Sequence, residues 1–112
     1  MANTLKTLGQ VAPAAATPAD IYTVPASTTT SVSSISVCNR SATDTSFRVS
    51  IRPAGAVQAD EHYLYYDVAI PGNDTFIATV GISLENTGTG DIITVYSTLA
   101  TCSFSVWGQE HS

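Results

Sequence analysis

Ile21-Tyr22-Thr23-Val24-Pro25-Ala26, Val32-Ser33-Ser34-Ile35-Ser36-Val37-Cys38-Asn39-Arg40, Phe47-Arg48-Val49-Ser50-Ile51-Arg52-Pro53, Tyr63-Leu64-Tyr65-Tyr66-Asp67 and Ile70-Pro71-Gly72-Asn73-Asp74-Thr75 follow one another between residues 21 and 75. Each run is short, rich in β-branched or aromatic residues, and followed by turn formers. Alternation with period 2 marks strands half-buried on one face. Ser46 to Arg52 is the cleanest case, with Phe47, Val49 and Ile51 on one face and Ser46, Arg48, Ser50 and Arg52 on the other. Pro53 has no N–H for a ladder and closes that strand.

Working outward, Ile21 to Val24 reads as a short strand stopped by Pro25, and Thr29 to Asn39 as a longer one. Val32 is out of phase with Ile35 and Val37, which predicts a bulge near Ser33-Ser34. His62 to Ile70 places Tyr63 and Tyr65 opposite Leu64, Tyr66 and Val68. Thr75 to Leu84 alternates strictly through Phe76, Ala78, Val80, Ile82 and Leu84. Asp91 to Leu99 and Thr101 to Trp107 complete the set, with Cys102, Phe104 and Val106 inward, Trp107 on the other face, and a tail from Gly108. About seven or eight strands with turn signals every 8–12 residues predict a single antiparallel β-sandwich, jelly-roll or Ig-like. Residues 1–20, rich in Ala and Thr and broken by Pro13 and Pro18, read as an extended N-terminal arm; residues 21–112 form the sandwich domain.

The 112 residues suffice for one domain and one core. Only 12% are charged, so the solvent face must be built from Ser, Thr, Asn and Gln. Such a surface weakly repels copies of itself, which suits a packed array. Lys6, Arg40, Arg48 and Arg52 are the only strong bases against a net charge of −5. That is too little positive charge for nucleic-acid binding or for electrostatic membrane binding. No apolar run is long enough to span a bilayer, and residues 1–10 contain no apolar signal core. The expected compartment is therefore a reducing cytoplasm, with Cys38 and Cys102 as free thiols and one disulfide as the rival. Asn39-Arg40-Ser41 and Asn73-Asp74-Thr75 match glycosylation sequons but read as turns.

No arrangement of catalytic groups stands out. His62, His111 and the two cysteines lack zinc spacing. Asp60, Glu61, Asp67 and Asp74 are scattered, and no Gly-rich phosphate loop or nucleophile elbow is present. The Asn73-Asp74 and Asn86 to Asp91 loops are candidate Ca²⁺ ligands set against a solvated-turn reading. No cofactor is expected, and no enzyme activity. Tyr63, Tyr65, Tyr66 and Trp107 are candidate interface anchors or a sugar platform, the alternative being that part of the row fills the core.

The words Leu8 to Val11, Tyr22-Thr23-Val24-Pro25, Ser33 to Arg40, Phe47-Arg48-Val49, Tyr65-Tyr66, Ile70 to Thr75 and Ser103-Phe104-Ser105-Val106-Trp107-Gly108 cover nearly the whole chain. Together they resemble small virion structural proteins of tailed bacteriophages. The resemblance implies a capsid cement or decoration protein, often a homotrimer, that bridges neighbouring major capsid subunits. It would be made in the host bacterial cytoplasm and carried on the capsid surface of the virion. Tail, neck or fibre-attachment partners are the alternative, and a carbohydrate-binding module is a second one. With residues 1–20 as the clamp, the interface set is Leu5, Leu8, Val11, Tyr63, Tyr65, Tyr66 and Trp107.

Overall fold

The computed structural model describes residues 3–112, as eight strands and two short 3₁₀ turns. The strands are β1 (Asn3–Val11), β2 (Ala19–Thr23), β3 (Thr29–Asn39), β4 (Thr45–Arg52), β5 (Tyr63–Ile70), β6 (Thr75–Glu85), β7 (Ile92–Ser97) and β8 (Cys102–His111). They form two antiparallel four-stranded sheets, ordered β1-β8-β3-β6 and β2-β7-β4-β5. Successive strands β1 and β2, β3 and β4, and β7 and β8 lie in different sheets, and strands distant in sequence pair. That order is the double Greek key of a jelly roll, so the choice between jelly-roll and Ig-like topology falls to the former.

The inward rows of β3, β4 and β8 are those that the alternation marks, and β7 adds a row that the sequence reading did not assign. Ile35 and Val37 of β3, Phe47 and Val49 of β4, Ile93 and Val95 of β7, and Phe104 and Val106 of β8 are all at most 1% exposed. Ile51 is only partly buried, and Ser50 keeps to the outer face as expected but is covered there, donating its hydroxyl to Gln58 Oε1 at 2.7 Å. The bulge expected near Ser33-Ser34 is present: the register shifts between Val32 and Ser34 against both β6 and β8.

The segment expected as an arm is not one. Residues 3–11 are β1, an edge strand paired along its length with β8, from Asn3 opposite His111 to Val11 opposite Phe104. Residues 1 and 2 of that segment lie outside the described residues. Pro13 and Pro18 do interrupt the chain, but between β1 and β2, where they leave the ladder intact. Leu8 is the extra residue of a bulge between Thr7 and Gly9 and is buried. At Gly9, a Cβ would collide with the Ile21 carbonyl oxygen, so the absent side chain lets β1 close against β2. Likewise Gly108 to His111 is no tail but the last part of β8.

Both cysteines are free thiols. Cys38 stands opposite Ser103, and Asn39 opposite Cys102, in the β3–β8 ladder. The two sulfurs therefore point to opposite faces of one sheet, which rules out the bridge. Burial raises the pKa of Cys102, keeping it a protonated, unreactive thiol.

A polar knot ties β1, β2, β3 and β8 together. The Tyr22 hydroxyl donates to Glu110 Oε2 at 2.6 Å and lies 2.7 Å from Thr30 Oγ1, while Lys6 Nζ is 3.3 Å from Glu110 Oε1. Burial, then the Glu110 contact, raises the Tyr22 pKa. The Tyr22 hydrogen bond holds Glu110 below the usual carboxylate range. The folded state thus favours ionised Glu110, a contribution present above the unfolded carboxylate pKa and lost as pH falls through the folded one. It also favours protonated Tyr22, a contribution present below the unfolded phenol pKa of about 10 and lost as pH rises beyond it. Tyr22→Phe should cost about 2 kcal/mol at neutral pH, since hydrogen bonds to charged groups contribute about 1.5–3 kcal/mol. Urea midpoints across pH check this: the variant should show a flatter stability profile at both the acid and the alkaline end.

Candidate functional site

The two outer faces of the sandwich differ in chemistry. On the β2-β7-β4-β5 sheet, parity puts Arg48 and Arg52 of β4 and Thr94 and Tyr96 of β7 on the outer side. Strict alternation along β5 would have separated Tyr63 from Tyr66, but β5 is irregular. Phe47 faces Val68 and Val49 faces Tyr65, so β5 spends one residue more than β4 over this interval. The bulge falls at Tyr66-Asp67, where Asp67 takes a left-handed φ of 51°. It leaves Tyr65 pointing inward, its ring 5.2 Å from Phe76 and 6.4 Å from Phe47, while Tyr66 and Asp67 face out. A second register shift, where Val49 faces Tyr65 but Ser50 faces Tyr63, turns Tyr63 outward as well, its ring edge-on to Tyr66 at 4.8 Å.

These side chains converge on Arg48. Its guanidinium lies 4.2 Å from the Tyr66 ring centroid and 4.4 Å from that of Tyr96. Arg48 Nε donates to Asp67 Oδ1 at 2.6 Å and Nη2 to Asp67 Oδ2 at 3.3 Å. That pairing raises the pKa of Arg48. Stacked on both sides and gripped by a carboxylate, the side chain has little rotational freedom left. Arg52 is held as firmly: Nη2 donates to Asp20 Oδ1 at 2.9 Å, Nε to Thr94 Oγ1 at 3.0 Å and Nη1 to the Ala56 carbonyl at 3.0 Å. A groove of about 320 Å³ runs over this lattice, and a shallower depression of about 340 Å³ shares Tyr63 with it.

The outer face of the β1-β8-β3-β6 sheet carries almost no charge. Ser34 and Ser36 of β3 stand beside Trp107 and Ser105 of β8 and beside Thr79 and Ile77 of β6. Along this face Ile77 is 67% exposed, Leu5 79% and Trp107 36%. β6 ends the sheet and pairs only with β3.

The interface set named from the sequence divides accordingly. Leu5 and Trp107 lie exposed on the uncharged face; Tyr63 and Tyr66 lie on the aromatic face. Leu8 is buried in the core, which removes it from any interface, while Val11 and Tyr65 are partly buried and pack against that core. Sequence reasoning missed Tyr96 and Asp20, and left Asp67 as one of several scattered carboxylates. The first was legible, since it alternates with the inward Ile93 and Val95; the others depend on pairings no local pattern reveals.

The two loops considered for Ca²⁺ use their side chains as turn locks. Asp91 accepts from the Ala54 N–H through Oδ1 and the Glu85 N–H through Oδ2; Asn86 donates to the Val24 carbonyl. Asp74 Oδ1 accepts from the Thr75 N–H. Among the described residues, no three His, Cys, Asp or Glu side chains gather into a metal-holding group. Among the described residues, no helix is long and apolar enough to cross a membrane. No protein-family model, curated protein or solved structure matches the chain.

Proposed function

We propose that this chain is a structural protein of a tailed-phage particle, a capsid cement protein that seats its uncharged face on neighbouring major capsid subunits. The observation that carries the reading is that face itself. Interface cores are depleted of charge and organised around a few large exposed anchors. Here short Ser and Thr side chains permit close approach, and Leu5, Trp107 and Ile77 supply the anchors. Many copies so seated add many modest contacts across a shell. The reading assigns the chain no catalytic role, and places its synthesis in the host bacterial cytoplasm. It also replaces the clamp: β1 contributes Leu5 to a surface rather than reaching out as an arm.

Cryo-electron microscopy of the intact particle, with copy number taken from the map, tests it together with an Ile77→Arg/Trp107→Arg variant. Ile77 is 67% exposed and Trp107 36%, so the variant should stay folded with a modestly lowered unfolding midpoint yet fall to less than about a tenth of the wild-type copies per particle. Wild-type copies are expected at shell symmetry positions, hundreds per particle. A few copies in a ring or on a fibre would shift the partner to a neck or tail protein, and incorporation of the double variant at wild-type level would overturn the assignment of the face.

A further inference from the structure

We infer that the groove lined by Asp20, Arg52, Gln58, Tyr63, Thr94 and Tyr96 is a binding site for a neutral oligosaccharide. This goes beyond the shell reading and does not depend on it. The groove lies on the opposite side of the sandwich from the uncharged face, so both surfaces can be occupied at once.

Three features of the groove select the ligand. The first is size and continuity. Its volume of about 320 Å³ falls within the range of small-molecule sites, and the adjoining depression of about 340 Å³ past Tyr63 extends the track to Tyr66. A chain of several sugar rings fits such a track better than a single compact ligand.

The second is charge. Arg52 is neutralised by Asp20 at 2.9 Å, and Arg48 by Asp67 at 2.6 Å. An anionic ligand would face guanidiniums already matched and the Asp20 carboxylate, whose side chain is 51% exposed. A cationic ligand would meet Arg52 beside that same carboxylate in the groove; Asp60 lines only the depression beyond Tyr63.

The third is the kind of polar group left free. Asp20 Oδ1 accepts from both Arg52 and Thr94, which leaves Oδ2 as an open acceptor. The Tyr63 and Tyr96 hydroxyls make no hydrogen bond among the described residues. Sugar hydroxyls both donate and accept, and the C–H faces of sugar rings lie against aromatic side chains, so these groups answer both halves of a saccharide. The groups beneath are already ordered: Arg52 by three hydrogen bonds, Gln58 by Ser50, and Arg48 between its two rings. Binding would therefore order few side chains.

The ¹⁵N-labelled full chain is titrated, by amide chemical shift, with cellohexaose, maltohexaose and the N-acetylglucosamine hexamer, and with a galacturonate hexamer as anionic control. At least one neutral hexamer should give saturable shifts at Asp20, Arg52, Tyr63 and Thr94 with Kd below about 1 mM. Tyr63→Ala should weaken that binding about tenfold or more, and Tyr96→Phe, which removes only a hydroxyl, about threefold. The spectrum of each variant reports whether the fold survives; should Tyr63→Ala disturb it, Tyr96→Phe decides. The inference is overturned if no neutral hexamer moves these signals up to about 10 mM, if galacturonate binds as tightly, or if folded variants bind like the wild type.

Discussion

Phe47→Ala should lower the unfolding free energy by about 4 kcal/mol, the largest effect expected of any single truncation here. Phe47 is completely buried on β4, and its ring meets Phe76 at 5.1 Å, Phe104 at 6.2 Å and Tyr65 at 6.4 Å. Those partners stand on β6, β8 and β5, so one side chain joins both sheets. Removing it costs the transfer free energy of the ring, the cavity left among neighbours that strand pairing prevents from collapsing, and three tilted or edge-on aromatic contacts. A domain of this size has roughly 5–15 kcal/mol in hand, so the variant should be partly unfolded well below the wild-type melting temperature. Phe47→Leu, which keeps much of the volume, should lose about half as much. Urea denaturation checks both: the midpoint should fall with the slope unchanged. A loss under about 1 kcal/mol for the alanine variant would mean that the aromatic cluster is not the centre of the core.

Asn39→Leu should cost about 3–5 kcal/mol, although leucine is more hydrophobic and of similar size. Asn39 is 1% exposed at the end of β3. Its amide nitrogen reaches the carbonyl oxygens of Thr43 at 2.8 Å, Pro71 at 3.2 Å and Ile70 at 3.3 Å. Its Oδ1 accepts from the Ser41 N–H at 3.2 Å and the Thr101 hydroxyl at 3.0 Å. One side chain thus fastens the β3–β4, β5–β6 and β7–β8 connections at one end of the sandwich. Leucine would leave several backbone groups without partners where water enters poorly, and each such group costs about 1–3 kcal/mol. Asn39→Asp should be at least as damaging at neutral pH, since it turns a negative charge toward three carbonyl oxygens. Thermal unfolding of both variants checks this, and hydrogen exchange should show the three connections opening together. A leucine variant as stable as the wild type would show that the connections hold without the latch.

Asn39 also shows how far sequence reading reaches. A turn residue at that position was legible, and so was the end of the strand. What the side chain does there was not, because Ile70, Pro71 and Thr101 come to it only through the fold. The aromatic face repeats the point. Arg48 was legible as an outward residue of the cleanest strand, yet its position between Tyr66 and Tyr96 depends on the β4–β7 pairing and on the bulge at Asp67. Each bulge exchanges the faces of the residues beyond it, and nothing in Tyr63-Leu64-Tyr65-Tyr66 announces the two register shifts of β5 against β4.

By itself the sequence determined the all-β class, the extent of β3, β4 and β6 to within a residue, and most of the inward rows. Those features rest on alternation and on turn residues, which act within a few positions of the chain. Only the tertiary structure decided that residues 3–11 are a strand, that the strand order is a jelly roll, and which tyrosines share a surface. A strand's hydrogen bonds are made to another segment: β1 is a strand because β8, about a hundred residues later, offers it an edge. Membership of a sheet, register and the side on which a bulge presents its neighbours are therefore properties of the pair.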